Sequence, residues 1–493
     1  MSTILLLTLV GCGDKETDSA SVVDTDTTDT DTDTDTTDTD TTDTDTDTTD
    51  TGPVHALGWS LHPDHGSLAY VTWEQDFSGE ATVMFFVGGV LHTTPTQATS
   101  VGTNQQLVVG IPYGHTAEWS VTVTDTEKSI EYIMPGEDIT TEGMPAGFPI
   151  PTVVASVGDK WLSTGNYLLT SINEDSGGWT QGTYWTFIMD RKGRIVWANE
   201  TPRSNWTLFA QVAVSRDHIL WDESTKWSKY DAGAASTVHR VYLDAEIEEV
   251  ATPGLHHAFV QLPDSTLAWG SKYHHSTEAL VEMSLDDRVI DVLWSCGDDW
   301  DGVTSCESNG LFYVEETNSF LYSFYTNDSL VEVDRSTGES MWWAGRAANG
   351  YDFDPEGHQF DWQHGISYTD SGSLLVSTRY DGDTDGDGIT DITTMLREYT
   401  VDHEAQTLTS IWEYDPGVHA GTNGDAWRLD NGNTLHVIGS AGHVVEVTTD
   451  GEEVWHVTFN DNYLMGRGEL IEDLYTLVSP INQSSASGAQ RTR

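Results

Sequence analysis

The stretch Ile188–Trp197, IMDRKGRIVW, reads as an apolar strand, a turn built on Asp and Gly, and a second strand that ends on tryptophan. Apolar and polar residues alternate on both sides of the turn, which is the two-residue period of a half-buried β-strand. The phrase returns as VDRSTGESMW (Val333–Trp342) and VEVTTDGEEVW (Val445–Trp455), and more loosely over Val241–Val250, Met283–Trp294 and Tyr399–Trp412. Six such hairpins, about 45–50 residues apart, have the spacing of four-stranded propeller blades. One blade cannot cover both of its own faces, so blades stack around an axis and bury each other, with tryptophan as the filler between them. The interval Trp342–Trp412 is longer than the rest by about twenty residues, which predicts an insertion.

Working outward, the propeller is expected over residues 152–479, six-bladed, followed by a loose tail at 480–493. Upstream, residues 54–144 carry short alternating strands, LAYVTWEQD (Leu68–Asp76), ATVMFFVGG (Ala81–Gly89), QLVVGIPYG (Gln106–Gly114) and AEWSVTVTDT (Ala117–Thr126). These predict an N-terminal β-sandwich of immunoglobulin or fibronectin type. Pro145, Pro149 and Pro151 mark residues 145–151 as an extended linker. The chain is thus read as all-β, in keeping with 19 Trp, 18 Tyr and 45 Gly among its 493 residues.

The N-terminus reads differently. An apolar run, Ile4–Val10, leads into Leu9-Val10-Gly11-Cys12, the form of a lipobox; no Lys or Arg precedes it. Residues 1–12 are therefore expected to be a bacterial lipoprotein signal, with Cys12 the lipidated residue of an exported protein held at the periplasmic or outer cell surface by its lipid anchor. Residues 13–53, dominated by Asp and Thr, bury nothing and repel one another, so a disordered tether is expected. The formal net charge is −59, of which about fourteen charges lie between Asp14 and Asp50. Without a basic patch to release counterions from phosphates, nucleic acid is excluded as a partner. Cys296 and Cys306, ten residues apart, are expected to form a disulfide in an exported protein.

Chemistry-bearing residues cluster just before blade strands, where an innermost strand would present them to a central channel. They are Leu255-His256-His257, Cys306-Glu307-Ser308-Asn309-Gly310, Gln363-His364-Gly365 and Asn423-Gly424-Asp425. These phrases resemble the bacterial arylsulfate sulfotransferase family. The most diagnostic stretch is Asn309–Arg379, where the Asn-containing strand start, the VDRSTG turn, Trp342-Trp343-Ala-Gly345 and Phe360–Gly365 follow in the family's order.

The resemblance implies transfer of a sulfuryl group from a phenolic sulfate ester to a phenol, through a sulfated histidine and without a nucleotide donor or other cofactor. By position that histidine is His364, and His256 or His257 matches the family's first histidine, a contact to the sulfonyl oxygens. Asn309 falls in the family's strand start. Two positions depart from the pattern: Glu307 stands where the family has a histidine, and Tyr325 where it has an arginine. Arg379 or Arg346 could replace the lost cation. The alternative reading is a catalytically degenerate, surface-anchored propeller that binds a ligand or protein; a hydrolase using Glu307 as base is a third. His274 and His275 lie outside every matched phrase and are read as surface residues.

The insertion contains Asp383-x-Asp385-x-Asp387-Gly388, followed by Asp391. Carboxylates on alternate residues around a glycine turn converge on a hard cation, so Asp383, Asp385, Asp387 and Asp391 are expected to hold a structural Ca2+.

Overall fold

The computed structural model describes residues 52–173, 183–202, 205–225, 236–300, 303, 305–382, 388, 390–459 and 463–480. Cys12, the Asp/Thr run, the segment 481–493 and Asp383, Asp385 and Asp387 lie outside them. The described chain is all-β, its strands falling into eight sheets. No helix among these residues is long and apolar enough to cross a membrane.

The first two sheets arise before residue 144. Val54–Leu61, Ala69–Gln75 and Gly102–Val108 form one; Gly79–Val87 and Thr116–Asp125 form the centre of the other. The predicted alternation is literal in Ala69–Gln75, where Ala69, Val71, Trp73 and Gln75 are buried and the residues between them are not. Val71, Trp73, Val83, Phe85, Trp119 and Val121 meet in one core between the sheets. The same strands also pack against later parts of the chain. Leu68, Leu107 and Val109 share a second cluster with Ile188, Trp197 and Leu474. In the proline-rich segment, Phe148 turns inward to lie 5.5 Å from Trp185 and 5.2 Å from Phe187.

Six sheets built on antiparallel meanders come next in a propeller-like series, and each repeat hairpin forms the last two meander strands of one of them. The first is Tyr167–Asn173, Tyr184–Asp190 and Ile195–Glu200; the second Ala210–Val212, Ile219–Glu223, Thr237–Tyr242 and Ala245–Ala251. The third runs from Phe259–Gln261 to Ile290–Ser295, and the fourth from Ser308–Val314 to Ser340–Gly345. The fifth runs from Asp361–Tyr368 to Thr407–Tyr414, and the sixth from Asp425–Arg428 to Glu453–Thr458.

Every repeat hairpin carries a register shift, at Ile188/Met189, Arg240/Val241, Leu280/Val281, Glu332/Val333, Glu398/Tyr399 and Glu446/Val447. A bulge bends its strand and tightens the local twist. In five hairpins the residue just before the shift is paired with the repeat tryptophan; in the second it faces Glu248.

The tryptophans also connect neighbouring sheets. Trp197 Nε1 donates to Leu243 O (2.9 Å), Trp294 to Ser340 Oγ (2.9 Å) and Trp412 to Thr449 O (2.8 Å). Trp455, in the sixth sheet, donates to Arg191 O in the first (2.9 Å). The chain ends cross over as well. Thr152–Ser156 pairs with Glu453–Thr458 of the sixth sheet, while Leu464–Met465 and Glu469–Ile471 pair with Tyr167–Asn173 of the first.

The longer interval adds a parallel strand, Asp352–Asp354, beside Thr407–Tyr414, and lengthens Leu374–Gly382 and Asp391–Asp402. Cys296 and Cys306 are disulfide-bonded with their Cα atoms 6.5 Å apart, tying the end of the third sheet to the start of the fourth.

Candidate functional site

The four chemistry-bearing phrases lie at or just before the first strands of the third to sixth sheets, and each of these strands is in contact with the next. Glycine allows that contact. A Cβ on Gly365 would stand 2.6 Å from Asp425 Cα, and one on Gly310 would stand 3.0 Å from His364 O. A methyl on Gly365 would force the first strands apart, and one on Gly310 would require its neighbour to give by a few tenths of an ångström.

There the chain encloses a cavity of about 190 Å³ lined by Trp206, Leu208, His257, Asn309, Tyr325, Trp362, His364, Thr422, Asn423 and Leu464. Its walls are mainly aromatic and aliphatic, with two imidazoles, two amides and the hydroxyls of Tyr325 and Thr422 as polar groups. Asp222 supports one wall by accepting the backbone N–H groups of Leu208 (2.9 Å) and Phe209 (2.7 Å).

His364 is fixed from both sides. The neighbouring Gln363 is fully buried, and its Nε2 donates to Ser323 Oγ (3.1 Å), Phe324 O (3.1 Å) and Ser329 O (3.0 Å), stitching the fifth sheet to the fourth. Asn309 Nδ2 donates to Gln363 O (2.5 Å), and Asn309 Oδ1 accepts Ser323 Oγ–H (3.0 Å). Strand alternation then turns His364 toward the cavity. His364 Nδ1 lies 3.0 Å from Trp362 O. A carbonyl only accepts, so Nδ1 carries the hydrogen and Nε2 keeps its lone pair. The cavity leaves part of the ring accessible, yet the surrounding protein strips an imidazolium of hydration and lowers the pKa from 6.5 to about 4. His364 is therefore neutral at pH 7.

The two histidines of the first phrase divide. His256 is buried behind the wall, with Nε2 at 2.9 and 3.1 Å from the Glu278 carboxylate oxygens; His257 lines the cavity. His257 has φ +60°, and the twist at this residue sends the two adjacent rings different ways, with their Nδ1 atoms 2.7 Å apart. Glu278 also accepts Ser308 Oγ–H (2.7 Å) and Tyr322 O–H (2.8 Å). Burial pushes its pKa up, but His256 and these donors outweigh it and hold Glu278 below the usual range.

Glu307 and Tyr325, the two departures, are bonded to each other. The Tyr325 hydroxyl donates to Glu307 Oε2, and Lys272 Nζ lies 2.5 Å from Glu307 Oε1. Tyr325 reaches the cavity, 5.6 Å from the Trp362 ring and 6.0 Å from the His257 ring. The expected replacement cations are elsewhere. Arg379 forms a two-point bond to Asp381 (2.7 and 2.9 Å), which raises its pKa, and it is not part of the cavity wall. Arg346 pairs with Asp328 and Asp361. Among the described residues no Lys or Arg lines the cavity.

Of the expected metal ligands only Asp391 is described, at the start of Asp391–Asp402 and paired with Gly382. His274 and His275 are partly exposed: His274 Nε2 lies 3.0 Å from Pro253 O, and His275 Nε2 3.1 Å from Asp298. Nothing local in the sequence marks Trp206, Leu208, Trp362, Thr422 or Leu464 as part of a site wall.

The family model described as Arylsulfotransferase (ASST) matches residues 311–460, a stretch that contains His364 and Arg379. The match supports the resemblance to the arylsulfotransferase family. No curated protein matches the chain. Among solved structures, TolB from Acinetobacter baumannii is 11% identical, covering 72% of this chain and 79% of its own, with a TM-score of 0.41. A protein of unknown function from Bacteroides caccae is 14% identical over 59% and 94%, TM-score 0.39. The Cps50 (Swd1) β-propeller domain from Myceliophteria thermophila is 13% identical over 62% and 86%, TM-score 0.36. These likenesses are too distant to bear on function.

Proposed function

We propose that this protein is a nucleotide-independent aryl-sulfate sulfotransferase whose site is the His364 cavity, built on a six-bladed propeller preceded by a β-sandwich. The observation that carries the reading is the state of His364: neutral, with its Nδ1 hydrogen on a backbone carbonyl and its Nε2 lone pair available at an aromatic-walled cavity. The Nε2 lone pair attacks the ester sulfur, the S–O(aryl) bond breaks, and the phenolate departs with the bonding pair. A second phenol then attacks the sulfohistidine sulfur, the N–S bond returns its pair to Nε2, and the phenolic proton passes to a base. His257, backed by His256 and Glu278, is placed to exchange that proton. Asn309, Asn423 and Tyr325 offer polar contacts to the sulfonyl oxygens, and Trp206 and Trp362 offer faces to the aryl ring.

In this reading residues 1–12 direct export, Cys12 carries the lipid, residues 13–53 are the tether, and Asp383, Asp385, Asp387 and Asp391 hold a structural calcium. The binding propeller is the second reading. It is favoured by the absence of Lys or Arg from the cavity wall among the described residues.

The test incubates purified protein with a chromogenic aryl sulfate, with and without a phenol acceptor, beside His364→Ala. Acceptor-dependent release that vanishes in the variant is expected. No release with any of several donors would sink the enzyme reading and leave the binding one.

A further inference from the structure

We propose that His239, Glu246 and Glu249 bind one divalent metal ion of the zinc type on the last two strands of the second sheet. His239 lies on Thr237–Tyr242, Glu246 and Glu249 on Ala245–Ala251, and His239 is paired directly with Glu249. In an unbroken strand, residues three apart point to opposite faces. The register shift at Arg240/Val241 places Ile247 as an extra residue between Glu246 and Glu248, so both carboxylates reach the imidazole. One ligand atom from each of the three residues lies within 4.8 Å of the others.

The imidazole is prepared for a metal. Its ring is fully buried, and Nε2 lies 2.8 Å from Glu223 Oε2 and 3.4 Å from Thr237 Oγ1. Glu223 is itself fully buried, and its other oxygen accepts Asn205 Nδ2–H (3.1 Å). A buried carboxylate on Nε2 holds the hydrogen there and leaves the Nδ1 lone pair outward, the arrangement that orients a metal-binding histidine. Nδ1 is buried and has no hydrogen-bond partner among the described residues. Its distance to Glu246 Oε1 is 3.6 Å. That is too long for a hydrogen bond, but close to the roughly 3.4 Å between two ligands that share a tetrahedral zinc at bonds of about 2.1 Å.

The donor set selects the metal class. One imidazole nitrogen with two carboxylates suits zinc and its neighbours, whereas calcium and magnesium take oxygen ligands. The location also gives the site a task. The second sheet is the one whose hairpin puts Glu248, not tryptophan, opposite the residue before its bulge. A metal joining His239 to Glu246 and Glu249 fastens the same two strands. None of these residues lines the His364 cavity, so the inference stands independently of the proposed activity.

The test uses the full chain, dialysed against chelator and titrated with Zn2+ by calorimetry and with Co2+ by visible absorption. Wild type is compared with the double variant Glu246→Gln, Glu249→Gln, whose changes fall on exposed side chains, and with His239→Gln. Diffuse binding to the many other carboxylates appears in both wild type and double variant and cancels. The expected result is one site at least tenfold weaker in the double variant, and a Tm raised by Zn2+ in wild type alone. Superimposable isotherms for the two proteins would overturn the proposal, as would stronger binding of Ca2+ than of Zn2+ at that site. If His239→Gln fails to fold, the double variant decides.

Discussion

His256 Nδ1 and His257 Nδ1 stand 2.7 Å apart, close enough that a proton must lie between two nitrogens of which one donates and the other accepts. Glu278 anchors the far side of His256, so the His257 ring is the cavity end of a three-member chain. If this chain moves the acceptor's proton, His257→Ala lowers acceptor-dependent turnover by roughly 10²–10⁴-fold. Glu278→Gln should retain more activity while displacing the pH profile of kcat. Steady-state rates from pH 5 to 9 check both; an unshifted profile would reduce Glu278 to packing.

Tyr325 and Glu307, one neutral and one anionic group, are bonded to each other where the resemblance implies an arginine and a histidine. Changing both together, Glu307→His with Tyr325→Arg, should raise sulfuryl transfer by at least ~10-fold, and by no more than the ~10²–10³ that one well-placed transition-state donor supplies. Turnover of a chromogenic sulfate measures it, and the absence of any gain would favour the binding propeller.

Burial holds His364 near pKa 4 against 6.5 in the unfolded chain. Between those values the unfolded state takes up a proton that the folded state refuses, so this residue costs stability as pH falls from about 6.5 toward 4. His364→Gln should therefore gain Tm relative to wild type across that window and show no pH-dependent difference above pH 7. Paired thermal melts give the answer. The same depression keeps the nucleophile neutral, so its acid limb in kcat/KM is expected near pH 4.

Trp455 is fully buried, donates to Arg191 O and lies 4.6 Å beneath the Arg191 guanidinium, joining the sixth sheet to the first. Trp455→Ala should cost about 3–5 kcal/mol. Chemical denaturation should also show a larger loss than for Trp412→Ala, since Trp412 is only partly buried.

Cys306→Ser opens a loop closed over ten residues. Chain entropy puts the cost at about 3 kcal/mol. Because Cys306 adjoins Glu307, the same variant should weaken substrate binding, read as a rise in KM.

Periodicity made the six hairpins legible, since alternation and turn residues are local. The bulges and the partners of the tryptophans were not legible, because Leu243, Ser340 and Arg191 are remote in sequence from the indoles they accept. At the site, sequence placed His364, Asn309 and the His256–His257 pair at strand starts. It could not say which histidine faces the cavity, which depends on the positive φ of His257. Nor could it find Lys272 or Glu278, which lie elsewhere in the chain and come into contact with Glu307 and His256 only through packing. Arg379 looked available in sequence, but Asp381, two residues on, takes both of its donor edges.

The crossed ends of the six-sheet region have a consequence during synthesis. Tyr167–Asn173 emerges early, yet the strands that complete its sheet, Leu464–Met465 and Glu469–Ile471, are nearly the last described ones made. At about 5–20 residues per second, some three hundred residues correspond to roughly 15–60 s of translation. Throughout that interval the nascent chain presents an unpaired strand edge to whatever surrounds it. A chain cut short before residue 464 would keep that edge permanently, so truncated translation products of this protein should be holdase clients rather than smaller working versions of it.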